Sequence, residues 1–257
     1  MLCVIRGGGD LATGVAWRLT RAGLAVVVTE LPEPLTVRRS VALSTAVTSG
    51  SIDIEGMVGQ LTTTPAEATE VSLSGAVGVL VSPGLPEIEA DVVVDARLAK
   101  RNIDTTIADA PLVIGLGPGF TVGTDCHSVI ETQRGHHLGR VLSTGSAVPN
   151  TGTPGVVGGR GAERVLRAPS AGTVRWTSAI GDVVLDGALL GHVGSAPVVA
   201  PFDGLVRGLI ADGAVVPANL KIGDVDPRSD RAMCHEISDK ALAIGGGVVE
   251  AVLSWAR

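Results

Sequence analysis

Leu2-Cys3-Val4-Ile5-Arg6-Gly7-Gly8-Gly9-Asp10-Leu11-Ala12 is the stretch on which the fold reading turns. Residues 2–5 form a short apolar run followed by a turn, the pattern of a buried strand. Leu11, Val15, Leu19 and Ala22 then recur near helical spacing, and Gly23 closes the helix. Residues 24–29 read as a second buried strand, ending at Glu30. Strand, glycine turn, helix and strand, with an acid about 20 residues past the turn, is the context a dinucleotide fingerprint requires. In that reading Gly7, Gly9 and Ala12 let the backbone approach an anion at a helix N-terminus, and Glu30 accepts from a ribose hydroxyl. A unit of the same shape that binds no nucleotide fits the same residues. Asp10 speaks for it, because a carboxylate in the turn repels pyrophosphate.

Further strands are expected at 71–73, 77–81, 92–94 and 112–116, each a short apolar run. The third leads into Asp95-Ala96-Arg97, charged residues where open α/β sheets bind ligands; an ordinary ion pair at a strand end is the alternative. Arg38 and Arg39 read as a solvated basic pair or as a phosphate contact from the following loop. Gly115-Leu116-Gly117-Pro118-Gly119 makes a second glycine turn. If 125–134 is a helix, His127, Glu131 and Arg134 share one face beyond that turn, with Cys126 and His136 nearby. Such a cluster suits a polar ligand pocket or capped surface charges. His-x-x-x-Glu supplies only two ligands, so no metal site is assigned. Cys126 reads as a candidate thiolate beside an imidazole or as a small buried residue. Residues 145–162, centred on Pro149-Asn150-Thr151-Gly152-Thr153-Pro154-Gly155, read as a covering loop or a linker.

Downstream the chain repeats itself. Ala168-Pro169-x-x-Gly172-x-Val174-Arg175 returns as Ala200-Pro201-x-x-Gly204-x-Val206-Arg207. Gly181 and Val183 match Gly213 and Val215, and Leu190-Gly191 matches Ile222-Gly223, all at one constant offset. Each half reads as short strands between glycine turns. The pattern resembles the biotinyl/lipoyl-like barrel-sandwich module, whose central hairpin presents a carrier lysine. The connection here, Gly191-His192-Val193-Gly194-Ser195-Ala196-Pro197, has none, and the chain holds only Lys100, Lys221 and Lys240. No biotin or lipoate is therefore expected. Ser238 then caps a helix that runs through Trp255, and the Gly245-Gly246-Gly247 run inside it calls for a close approach to another element.

Composition excludes several classes. The net charge is −6 and the aromatics are three Trp and two Phe, so a nucleic-acid surface of basic groove and stacking platforms is not expected. The three cysteines have no CxxC spacing, which argues against a disulfide framework and fits a reducing, cytoplasmic setting. No apolar stretch reaches the ~20 residues of a membrane span.

Taken jointly, Arg6–Val15, Asp95-Ala96-Arg97, Gly115 to Gly119, Glu131-Thr132-x-Arg134-Gly135-His136, Pro149-Asn150-Thr151-Gly152 and Ile237-Ser238-Asp239-Lys240-Ala241 resemble the selenium-dependent molybdenum hydroxylase system proteins, relatives of the xanthine dehydrogenase accessory factors. The resemblance implies an accessory protein that handles molybdenum cofactor, or its sulfur or selenium ligand. Its partner would be an apo-hydroxylase or a sulfur or selenium donor protein, and a homo-oligomer is allowed. The pterin phosphate would suit one of the two glycine turns, that of Gly7 and Gly9 or that of Gly117 and Gly119, with His127, Glu131, Arg134 and His136 around the molybdenum end and Cys126 a further catalytic candidate. An NAD(P)-dependent oxidoreductase and a non-catalytic scaffold are the alternatives. The expected architecture is α/β: a Rossmann-like parallel sheet domain (1–162), an all-β barrel-sandwich module without carrier lysine (163–228) and a C-terminal helix (229–257) packing back on the first domain.

Overall fold

The computed structural model describes residues 1–150, 152 and 155–256. Thr151, Thr153 and Pro154 of the proline-glycine stretch lie outside the described residues. The chain divides into two compact units: Met1–Pro34, Ala42–Thr151 and Ile237–Arg257 form the larger, Leu35–Val41 and Gly152–Glu236 the smaller.

The larger unit is built on one nine-stranded sheet. Its elements in chain order are β1 (Leu2–Arg6), α1 (Asp10–Arg21), β2 (Ala25–Glu30), α2 (Ala46–Ser49), β3 (Ser51–Ile54), β4 (Met57–Thr62), α3 (Pro65–Leu73), β5 (Val77–Val81), β6 (Val92–Asp95), β7 (Leu112–Leu116), β8 (Ser128–Ile130) and β9 (Val141–Leu142). The strand order is β3-β4-β5-β2-β1-β6-β7-β8-β9. The middle strands are runs of Val, Ile and Leu with both faces buried, as parallel strands covered by helices require.

The sheet is nevertheless mixed, and this corrects the expected fold class of a Rossmann-like parallel sheet. β3 pairs antiparallel with β4, and β8 antiparallel with β9. The cause is connection length. Glu55-Gly56, with φ of 51° and 79°, turns β3 into β4 in two residues, and so short a loop allows only an antiparallel neighbour. The strand expected at 71–73 is the last turn of α3. Pro65 opens that helix, and the Thr64 hydroxyl accepts from Glu67 N at 3.2 Å. The helix allowed for at 125–134 is replaced by β8 and the turns around it.

One face of the sheet is covered near β7, β8 and β9 by α4 (Asp239–Trp255), which also packs along α1. Ser238 caps it, accepting from Ala241 N at 3.2 Å. Two of its three glycines are needed for close approach. A Cβ on Gly245 would stand 2.4 Å from the Gly14 carbonyl oxygen, and one on Gly247 2.2 Å from that of Gly139. Gly246 faces open space.

The smaller unit contains β10 (Val165–Arg167), β11 (Gly172–Trp176), β12 (Val183–Val184), β13 (Leu189–Val193), β14 (Ala196–Val199), β15 (Gly204–Leu209), β16 (Val215–Val216) and β17 (Lys221–Asp226). They make two four-stranded antiparallel sheets, β10-β17-β15-β12 and β14-β13-β11-β16. The first four strands are one half of the repeat and the last four the other, so each sheet takes two strands from each half. Val174, Leu190, Val193, Val206, Ile222 and Val225, none of them solvent-exposed, lie between the sheets. The name biotinyl/lipoyl-like module is not kept for this unit. The turn that would present a carrier lysine is Gly194-Ser195, closed by the Val193–Ala196 pair.

Candidate functional site

β1, β6, β7 and β8 are adjacent, parallel and end together, so Gly7, Arg97, Gly117 and Glu131 leave the sheet along one edge. The strand order reverses at β1, with β2 on one side and β6 on the other. Ligands of open α/β sheets sit in the crevice such a reversal leaves at the carboxyl edge.

A charged network fills the edge beneath β1 and β6. Arg6 and Asp95 are each 2% exposed. Arg6 Nη1 donates to Thr105 Oγ1 at 2.8 Å and Nη2 to Asp104 Oδ2 at 2.9 Å. Thr105 Oγ1 donates to Asp95 Oδ2 at 2.7 Å, and Arg97 Nη2 contacts Asp95 at 2.5 Å and Asp104 at 2.7 Å. The Arg6 hydrogen bond holds the Asp104 carboxyl below the ordinary carboxylate range; burial opposes the shift and Arg97 adds to it. Burial works against the Arg97 charge, but Asp95 and Asp104 outweigh it and hold it on. Each buried charge is paired, so the network fixes the 95–105 loop. That loop carries Leu98 and Lys100 at φ of 53° and 63°, a left-handed conformation costly for a residue of leucine's bulk.

The first glycine turn is occupied by the chain's own groups. Glu30 Oε2 accepts from Gly8 N at 2.8 Å and Oε1 from Leu31 N at 2.7 Å, so the carboxylate closes the turn from within. Ser44 N donates to Gly8 O at 2.8 Å, and a Cβ on Gly8 would stand 2.8 Å from Ser44 N. What remains open is the start of α1. Its N-cap is Gly9, with no side-chain cap and nothing within 4 Å of the position of a Cβ. Glycine at that position offers no side-chain acceptor of its own to the first amide donors of the helix.

Lys240, in the first turn of α4, stands over this region. Its neighbour Ala241 packs where a Cβ on Gly14 would come within 2.6 Å. The side chain is half-buried and makes no hydrogen bond among the described residues. Burial first, and then the Arg134 charge, push its ammonium below the ordinary lysine value; Asp10, Glu131 and Asp239 pull it back. Arg134 is held by Asp239, at 2.8 and 2.9 Å. Glu131, 2% exposed, accepts from Gln133 N at 2.7 Å and Val148 N at 2.9 Å, tying together the loops at the ends of β8 and β9.

The sequence candidates are thus partly gathered. Gly7, Gly9, Asp95, Arg97, Gly117 and Glu131 belong to one edge, and Ala12 is buried in α1. Gly119 is set against Arg101, whose Cα lies 2.6 Å from the position of a Cβ. His127 leaves the cluster, because four residues of strand separate it from Glu131 by about 13 Å. Its Nδ1 accepts from Val113 N at 2.9 Å. His136 is exposed in the turn between β8 and β9. Cys126 is fully buried, and burial pushes its thiol up to about 11, which rules out a resting thiolate. Lys240 was not among the candidates. Its signals were the scarcity of lysine and its place two residues after the helix cap. Among the described residues no group of three His, Cys, Asp or Glu is placed to hold a metal ion. No helix there is long and apolar enough to cross a membrane.

These features define an α/β chain with a mixed sheet, an anion-friendly carboxyl edge and a small antiparallel unit. No family model matches it. It is 47% identical over 255 residues to "Uncharacterized protein YqeB" of Escherichia coli (strain K12), covering 98% of this chain and 47% of that protein. The chain thus spans about half the length of the curated relative it matches. Among solved structures it is similar to a succinylglutamate desuccinylase/aspartoacylase from Rhodobacter sphaeroides, at 25% identity over 28% of this chain and 24% of the other, TM-score 0.23. A Mesorhizobium loti aspartoacylase family protein matches at 14% identity over 89% and 86% of the two chains, TM-score 0.30. A third is the ectoine utilization protein EutE (DoeB) of Ruegeria pomeroyi, at 11% identity over 87% and 84%, TM-score 0.25. Likenesses this loose carry no argument about chemistry. The accessory-factor function expected from the resemblance is withdrawn: these solved structures carry the names of a desuccinylase/aspartoacylase, an aspartoacylase family protein and an ectoine utilization protein, and the curated relative is uncharacterized. The maturation function, its oxidoreductase and scaffold alternatives, and the Rossmann and biotinyl/lipoyl descriptions are not carried further.

Proposed function

We propose that the larger unit binds a small anionic ligand, through a phosphate or carboxylate group, at the carboxyl edge of its sheet between the start of α1 and Lys240. The observation that carries this reading is the half-buried Lys240 side chain, without a hydrogen-bond partner among the described residues, beside a helix start whose N-cap is a glycine. A lysine held out of water without a carboxylate hydrogen bond is costly unless an anion joins it. Backbone donors and the dipole at a helix N-terminus favour the same charge. Arg134 adds a second cation, and the Arg6–Asp95–Arg97 network stiffens the floor.

The test is calorimetric titration with pyrophosphate and citrate, with NADP as a third ligand because NAD(P) remains an untested candidate cofactor. Saturable binding is expected, weakened about tenfold or more in Lys240→Met and largely kept in Lys240→Arg, as loss of one charged hydrogen bond implies. Equal affinity in the wild type and Lys240→Met would refute the placement.

A further inference from the structure

The two halves of the repeat in the smaller unit share one backbone and differ in what they expose. Gly187 N donates to Ala200 O at 2.9 Å, and Asn219 N to Ala168 O at 2.8 Å. Gly181 N donates to Val206 O at 2.8 Å, and Gly213 N to Val174 O at 2.9 Å. Each of these bonds returns at the constant offset of the repeat, so the unit has an internal pseudo-twofold. Every place on one half therefore has a counterpart on the other, and their outward-facing side chains can be compared place by place.

Leu189 stands opposite Val199 in the β13–β14 ladder, and at the counterpart place Arg167 stands opposite Lys221 in the β10–β17 ladder. Directly opposed residues share one face of a sheet. The first pair is apolar and exposed, at 47% and 46%, and Leu185, in the turn leading into β13, is 69% exposed. The second pair is two exposed cations, and Pro217 takes the place of Leu185. Exposed Asp182, Asp186 and Asp203 border the apolar pair, and Asp203 Oδ1 accepts from Asp186 N at 2.7 Å. Their counterparts are the uncharged Ala214, Ala218 and Ala171. One half thus presents an acidic, apolar patch and the other a basic patch set among small side chains. The other charges in these stretches are turned to partners of their own. Arg207 Nη1 lies 3.7 Å from buried Asp226, Asp212 lies 3.3 Å from Arg175, and Glu163 lies with the Arg160 and Arg164 charges.

We propose that copies of this chain associate head to tail through the smaller unit, the acidic apolar patch of one copy seating on the basic patch of the next. The occupant is a second copy because the molecule carries both complements itself. Carboxylates of one patch meet Arg167 and Lys221 of the other, and Leu185 and Leu189 meet alanines that leave them room. Two copies of the same patch would instead set like charges against each other, which suppresses that pairing. A contact between unlike patches is heterologous: each joined copy keeps one patch of each pair open, so association continues to a ring or an open chain. The surface lies wholly within the smaller unit and does not depend on the anion site assigned to Lys240.

The experiment is sedimentation velocity of the whole chain over a range of concentrations, at low and high salt, for the wild type, Asp186→Lys, Lys221→Glu and an equimolar mixture of the two variants. Both substitutions are at exposed positions, and circular dichroism checks that each variant is folded. The wild-type mass is expected to rise with concentration and to fall with salt, which screens exposed charges. Each variant alone should associate about tenfold or more weakly. The mixture should recover association, because it brings the intact acidic patch of Lys221→Glu to the intact basic patch of Asp186→Lys. A wild type that stays monomeric at every concentration in low salt overturns the proposal. So does either variant associating as the wild type does, which would mean that like patches meet. A mixture that associates no better than its components overturns it as well.

Discussion

Adding one methyl group to adjacent glycines of α4 is expected to change stability in opposite directions. In an exposed helix, Gly→Ala stabilises by up to about 1 kcal/mol, because glycine loses more backbone entropy on folding. Gly246 has nothing within 4 Å of its Cβ position, so Gly246→Ala should show that gain. Gly245 differs. Its added carbon would stand 2.4 Å from Gly14 O and 2.8 Å from Arg18 Cγ. Ordinary separations are about 3.5 Å or more, so α1 and α4 must part by roughly 1 Å. Overpacking of this kind costs about 1–3 kcal/mol, which exceeds the propensity gain. Gly245→Ala should therefore be destabilised by up to about 2 kcal/mol net, a fall in Tm of up to roughly 8 °C for a chain of this size. Urea unfolding followed by far-UV circular dichroism reads both variants, with the midpoint moving down for Gly245→Ala and up for Gly246→Ala. If both move up, the tight α1–α4 crossing does not exist and the placement of Lys240 falls with it.

Three further outcomes follow from buried groups. Cys3, Cys126 and Cys234 are all buried, with burial raising the first two thiols to about 12 and about 11, so a thiol reagent at pH 8 should label none in the native chain and all three in urea. Asp226 is held below the ordinary value of 3.8: burial, the largest influence, opposes this, and the Arg228 hydrogen bonds and charge outweigh it. Its contribution is complete above the unfolded value and fades as pH falls through the lower folded one, so unfolding midpoints measured from pH 6 down to 2 should drop chiefly below about pH 4. Arg164→Met leaves Asp224 buried and unpaired and should cost about 3–5 kcal/mol, whereas Arg164→Met with Asp224→Leu should recover most of that loss; equal losses in single and double variants would show that the pair is not isolated.

The strands at the centre of the large sheet were legible because they are continuous apolar runs; residues 77–81 and 112–116 coincide with β5 and β7. Its edges were not. Ser51–Ile54 is half polar and Ser128–Ile130 three residues long, and these pieces make the sheet mixed. Val71-Ser72-Leu73 was misread because three residues cannot separate period two from period 3.6; the Thr64 cap and Pro65 upstream were the deciding signals. The His127–Glu131 spacing suggested one helix face, but in a strand it separates the pair. Gly7 and Arg97 were each read as following a strand, and the sheet sets both at one edge, whereas no local pattern could show that Glu30 closes the glycine turn. Lys240, more than two hundred residues from Asp10, is brought to it by the helix crossing alone.

The exchange of strands between the repeat halves bears on how the smaller unit assembles. Neither half contains a complete sheet: β10 finds its partner in β17, with Val165 opposite Asp224, and β12 finds its partner in β15. The β10–β17 and β12–β15 ladders close only when segments of the two halves meet, which slows their formation. Cutting the chain at the Gly194-Ser195 turn would yield two fragments that each present unpaired edges and complete one another on mixing. Two copies of one half would meet the same geometric demand, as expected of a fold that arose by joining two identical, mutually entwined chains.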